Sequence, residues 1–260
     1  MASGGASPGE LSFQGIQKIT TLSSPLNPAL SAASFATLSE GAPVRICVFC
    51  GASPGNSPAH LEAARDLAKV MHENKISLVY GGGTVGIMGE LARTLVSLSG
   101  PDSVHGIIPT PLIKYERQGW DPSAAEKEQD IRVPDYQQYG KTTLVEDMHT
   151  RKHMMAQEVL NGGKGSGFIA LSGGYGTLEE LMEVVTWNQL GIHTQGIAVL
   201  NIEGYWDGLL QWVKGAVGAG FVNEGSKGII VEAKTAEDAV NALKEYKLSE
   251  GRFKLEWGKE

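Results

Sequence analysis

The chain has 260 residues, 42% of them hydrophobic and 20% charged, enough apolar material for one large α/β domain or two small ones. Its formal charge of −7 comes with no basic stripe, which argues against a nucleic-acid partner. No apolar run reaches the length of a membrane span, so no membrane partner is expected.

In chain order, residues 1–41 come first, rich in Ser, Ala, Gly and Pro, with Lys18 as their one basic residue. A secretory leader needs a basic start and a continuous apolar stretch, and a transit peptide needs arginines. This segment is read as a flexible extension. From Ala42 onward, apolar runs alternate with amphipathic stretches. Strands are predicted at Val44–Cys50, Ile76–Tyr80, Val104–Ile108, Ile131–Val133, Phe168–Leu171, Gly196–Leu200 and Gly228–Val231. Helices are predicted at Ser57–Asn74, Gly86–Leu98, Thr142–Leu160, Leu178–Leu190, Trp206–Val217 and Ala236–Tyr246. Continuous apolar strands alternating with helices predict a Rossmann-like, doubly wound parallel sheet with helices on both faces. One nucleotide-binding domain over 42–247 accounts for the pattern. The charged segment 248–260 reads as a solvated tail, and Lys114–Asp130, without a clear period, as a loop. Asn161–Gly167 reads as a surface loop.

Cys47 and Cys50 are the only cysteines. Spaced as Cys-x-x-Cys within the first strand, they point to opposite faces, and no second pair completes a zinc site. Free buried thiols suit a reducing, cytoplasmic setting.

Ligands of doubly wound folds bind beyond the carboxyl ends of the strands. Three glycine-rich loops come directly after strands: Gly51–Gly55, Gly81–Gly86 and Gly173–Thr177. Glycine lets backbone N–H groups approach an anion at a helix start, although tight turns alone also use it. The second loop matches G-x-G-x-x-G, but the next strand ends Ile107-Ile108-Pro109 without the acid a dinucleotide ribose needs. No Walker lysine pattern is present. After the third loop, Thr177 and Glu180 form Thr-x-x-Glu, a capping box by pattern, or else a carboxylate placed one turn into a phosphate-binding helix. In Met148-His149-Thr150-Arg151-Lys152-His153 the histidines have metal-capable spacing but lack the adjacent glutamate of a metalloprotease. Arg151 and Lys152 fit either a salt-bridged surface helix or a cationic pair facing an anionic ligand.

Leu171-Ser172-Gly173-Gly174-Tyr175-Gly176-Thr177-Leu178-Glu179-Glu180 resembles the P-G-G-x-G-T-x-x-E signature of the Lonely Guy (LOG) proteins, cytokinin riboside 5′-monophosphate phosphoribohydrolases. Met148–Lys152 is similar to that family's M-H-x-R-K, and the likeness runs from about Val44 to Lys244. The resemblance implies hydrolysis of the N-glycosidic bond of an N6-modified adenosine 5′-monophosphate, or of AMP, releasing the base and ribose 5-phosphate. It places catalytic roles on Arg151 and Glu180. Substrate binding falls on Lys152, on Gly174, Tyr175, Gly176 and Thr177, on Thr186 and on Glu116, with Met148 as a wall for the purine or simply part of the core. It implies no metal and no cofactor, a small nucleoside monophosphate as partner, and a homodimer or larger homo-oligomer. Met148, Met154, Met155 and Val159 offer a dimer face, or equally the chain's own core. Ser172 stands where the signature has proline, and Asn161–Gly167 is longer than the usual turn. Two other readings stand beside this one. A non-catalytic nucleotide sensor needs the glycine loop but not the Arg151–Glu180 pair. An amino-acid decarboxylase needs a pyridoxal-phosphate lysine with its partners, a constellation not found in the sequence.

Overall fold

In the computed structural model, residues 41–113 and 133–255 are described. They form seven strands: β1 (Arg45–Phe49), β2 (Ser77–Tyr80), β3 (Val104–Pro109), β4 (Lys141–Val145), β5 (Gly167–Ala170), β6 (Gly196–Leu200) and β7 (Ile230–Ala233). The helices are α1 (Ala59–Glu73), α2 (Gly86–Ser99), a single turn α3 (Tyr136–Tyr139), α4 (Met148–Leu160), α5 (Tyr175–Gln189), α6 (Asp207–Gly218) and α7 (Ala236–Lys244). All neighbouring strands pair in parallel, in the order β4-β3-β2-β1-β5-β6-β7. The doubly wound sheet is the expected one.

Side-chain alternation along β1 splits the core into two layers. Ile46, Val48 and Cys50 pack with α1, α2 and α7, whereas Cys47 and Phe49 pack with α4 and α5. The two cysteines are buried, outside any disulfide, and lie on opposite faces, as a two-residue period demands. Met155 and Val159 belong to the second layer, so that face of α4 is used within the chain.

Two expectations are corrected. Thr142–Leu160 is not one helix: Lys141–Val145 is the edge strand β4, paired with β3 in register His105 to Lys141. Its β-branched Thr142, Thr143 and Val145 favour a strand. Asp147 then starts α4 by accepting from the Thr150 amide at 2.9 Å. Within the segment predicted as a solvated tail, residues 251–253 are tied back, and 256–260 lie outside the described residues. The Gly251 amide donates to Gly225 O at 3.1 Å, the Phe253 amide to Gln189 O at 2.8 Å, and the Arg252 guanidinium to Asn188 O and His193 O at 2.7 and 2.6 Å. The extension up to residue 40, the Lys114–Asp130 loop with Glu116, and residues 131 and 132 of the strand predicted at Ile131–Val133 lie outside the described residues. Val133 itself is not in a strand.

The strand order reverses between β1 and β5, the paired centre of the sheet, where Phe49 lies opposite Ala170. Chains leaving these two strands diverge to opposite sides, and the crevice between them is where such folds bind ligands.

Candidate active site

A cavity of about 810 Å³ opens at this crevice. The loops after β1 and β5 frame it and are locked together: the Gly51 amide donates to Ser172 O at 3.0 Å, while the Ile87 and Met88 amides both donate to Gly51 O. Gly173 is required by contact, since a Cβ there would lie 2.1 Å from Thr177 Oγ1. Gly174 and Gly176 instead face open space. The glycines of the loop after β2 do not line the cavity; a Cβ on Gly86 would strike Ala52 at 2.4 Å, so this loop packs under the first.

Helix α5 begins at Tyr175 behind Gly174, which provides no side-chain cap. The capping box is therefore not formed: Thr177 is the third helical residue, buried, and Glu180 is a turn further on. The helical ladder starts with the Leu178 amide donating to Gly174 O at 3.1 Å. Among the described residues, no acceptor takes the amides of Tyr175, Gly176 or Thr177. Free amides, the positive end of the helix and the space left by two glycines make a cradle for a phosphate-sized anion.

Beside the cradle, Arg151 from α4 meets Glu180 from α5. Arg151 Nη2 and Glu180 Oε1 are 3.6 Å apart, an ion pair longer than a hydrogen bond. Arg151 also approaches Met148 Sδ at 3.7 Å. Gly81 makes room for the guanidinium, because a Cβ there would lie 1.9 Å from Nη2. Beneath the pair, burial pushes the Cys47 thiol up, and the Glu180 charge raises it further, so it stays protonated.

The remaining predicted residues divide. Met148 is 38% exposed and lines the cavity. Lys152 does not line it; its ammonium lies 2.5 Å from Glu179 and 3.2 Å from Glu183, both on α5. Burial alone would lower the Lys152 pKa, but its hydrogen bonds to the two carboxylates outweigh this and hold it raised. Tyr175 is 94% exposed at the helix start. Thr186 is exposed on α5 away from the cavity, its hydroxyl donating to Met182 O at 2.8 Å. His149 and His153 are exposed on α4. Sequence reasoning missed His60, Glu203 and Tyr205, which line the far side. The rule that led to the glycine loops, reading the segment after each strand, would have reached Tyr205 after β6.

A family described as "Possible lysine decarboxylase" matches residues 88–243. Cytokinin riboside 5′-monophosphate phosphoribohydrolase LOG7 of Arabidopsis thaliana is 41% identical over 215 residues, 82% of this chain and 88% of that protein. The chain belongs to the LOG family. The Bifunctional cytokinin biosynthesis protein of Fusarium pseudograminearum (strain CS3096) is 50% identical over 229 residues, or 88% of this chain. The match spans 46% of that relative, about half its length. Among solved structures, the molybdenum cofactor binding protein from Rippkaea orientalis superposes with a TM-score of 0.51 at 18% identity, covering 78% of this LOG chain and 96% of the other. The molybdenum cofactor carrier protein of Chlamydomonas reinhardtii gives 0.52 at 15% identity, covering 78% and 97%. At these identities the likeness shows the fold alone. No helix among the described residues is long and apolar enough to cross a membrane.

Proposed function

We propose that this LOG-family chain hydrolyses the N-glycosidic bond of an N6-modified adenosine 5′-monophosphate, with AMP as a second substrate, to the free base and ribose 5-phosphate. The observation that carries this reading is the buried Arg151–Glu180 pair, 3.6 Å apart, in one cavity with the open amides of α5. The 5′-phosphate sits on the Gly176 and Thr177 amides over the space at Gly174. The ribose then reaches Glu180, and Met148 walls the base.

Cleavage breaks the C1′–N bond, its electron pair leaving with the base, and positive charge develops on the sugar. The Glu180 carboxylate stabilises that charge and takes a proton from the water whose oxygen bonds to C1′; the departing base is protonated in turn. Arg151 aims Glu180 and balances its charge. Lys152 acts through Glu179 and Glu183, fixing α4 against α5, and so the spacing of the pair. Tyr175, Thr186 and Glu116 are proposed to act on substrate or across a subunit contact, in a cytoplasmic homodimer or larger homo-oligomer whose catalytic domain is residues 42–247.

The test is incubation with isopentenyladenosine 5′-monophosphate, with AMP and with the riboside lacking phosphate, quantifying base and ribose 5-phosphate by chromatography. Base release from both ribotides, and far less from the riboside, is expected because unmatched buried donors reject a ligand lacking their partner. Equal cleavage of riboside and ribotide would refute the phosphate cradle. Nucleotide binding without base release would make the chain a sensor.

A further inference from the structure

The phosphate loop has an unusual burden. Its two glycines, Gly173 and Gly174, have wide backbone freedom, and the helix it starts has no side-chain cap. Besides the Gly51 amide bond to Ser172 O, two side chains hold it from the far side of the cavity. Ser172, 5% exposed, opens the loop with its Oγ 3.0 Å from His60 Nδ1, a contact between positions 112 residues apart in the chain. The His60 ring stands edge-on to Tyr205, centroids 5.8 Å apart at 77°. The Tyr205 hydroxyl donates to Gly173 O. Tyr205 is braced in turn by Trp206, 4% exposed, at 5.2 Å and 89°. The first loop is shaped round the same imidazole: Gly55 has φ +76°, and a Cβ on it would lie 2.9 Å from His60 Cδ2.

We propose that His60 and Tyr205 are positioning residues of the phosphate loop, clamping Ser172–Gly174 so that the α5 amides are preset for the 5′-phosphate. The inference rests on reading that loop as the phosphate site. Without the clamp, the loop must be ordered when nucleotide binds, a loss shared by ground state and transition state. KM rises and kcat holds. The clamp stands where the family signature has proline, whose ring fixes φ covalently. The Ser172 amide donates to no described acceptor, so proline at 172 removes no described hydrogen bond.

The experiment compares the wild type with His60→Ala, Tyr205→Phe and the double variant His60→Ala/Ser172→Pro. For isopentenyladenosine 5′-monophosphate, KM is expected to rise about fivefold in each single variant, the worth of one hydrogen bond, with kcat within about twofold. The double variant should recover most of that rise. Two further measurements need no turnover: amide exchange at Gly173–Thr177 in the ligand-free protein should quicken in His60→Ala and slow again in the double variant, and calorimetric affinity for AMP in a Glu180→Gln background should track the same order. Unchanged exchange and affinity in both single variants would overturn the clamp, as would a double variant no better than His60→Ala. Failure of the functional reading looks different: the wild type releases no base, while exchange and AMP affinity still report on the clamp. A wild type that does not bind AMP removes the ligand the loop is held for and overturns both.

Discussion

Arg151 Nη2 and Glu180 Oε1 stand 3.6 Å apart at the floor of the cavity, with side chains only 7% and 9% exposed. Two opposite charges so far from water must justify their desolvation, and stability rarely does so. In the proposed reaction the pair serves chemistry instead, holding the carboxylate where the ribose would reach it. Glu180→Gln preserves shape and removes the charge. Turnover should fall at least about a hundredfold, with a smaller loss of stability than removal of the arginine, because the Gln carbonyl remains as an acceptor beside the guanidinium. Steady-state kinetics and thermal unfolding on one preparation check both.

Arg151→Met acts on stability as well. It leaves the buried Glu180 carboxylate without this cation, which typically costs about 3 kcal/mol. A clear fall in the urea midpoint, larger than that of Glu180→Gln, is the expected contrast.

Gly81→Ala separates position from stability. The added methyl would meet Arg151 Nη2 at 1.9 Å. The clashing atom ends a flexible side chain, so the guanidinium shifts and the backbone does not. Misplacement by about 1 Å can reduce turnover roughly a hundredfold. The thermal midpoint should barely move while kcat collapses, and a coupled loss of both would contradict this account.

Lys152→Met tests what that ammonium touches. Its partners are Glu179 and Glu183, so the change should cost roughly 1 kcal/mol of stability and move KM less than about threefold. A tenfold rise in KM for the ribotide would place Lys152 on the phosphate instead.

His193 predicts an acid sensitivity. It is 3% exposed, contacts Val184 O through Nε2 at 2.8 Å, and accepts the Gln195 amide on Nδ1 at 3.1 Å. Burial lowers its pKa from 6.5 to about 4, opposed by the Val184 bond and assisted by the nearby Arg252 charge. Between these values the unfolded chain takes up a proton that the folded chain refuses. Stability from this residue is whole above about pH 6.5 and is lost as pH falls toward 4, by on the order of 3 kcal/mol. Urea midpoints at pH 7.5 and 4.5 should diverge more in the wild type than in His193→Gln.

Much of this molecule could be read from local patterns. Strand-like runs bounded by helical periods determined the parallel sheet, because burial on two faces leaves an uninterrupted apolar signature. The two cysteines were assigned to opposite faces by period alone, and the resemblance of the motifs around Arg151 and Glu180 to the LOG signature put both in one site. Where patterns abut, they misled. Lys141–Val145 ran into the α4 period, and only the Asp147 cap separates strand from helix. Thr177 and Glu180 matched a capping box, yet α5 starts earlier, behind Gly174, with Gly173 packed against Thr177.

The rest was settled by contacts that no spacing encodes. Lys152 could have faced a ligand or a carboxylate; the approach of α5 gave it Glu179 and Glu183. Gly81 resembled a phosphate-loop glycine until Arg151 came to occupy the space beside it. His60, Ser172 and Tyr205 lie far apart along the chain and meet only because the start of α1 and the segments after β5 and β6 lie at the same sheet edge. Periodicity is a property of neighbours in the chain, and it sets which face of an element is buried. The partner a polar side chain finds on that face depends on how distant segments pack, and that is decided only when the sheet closes.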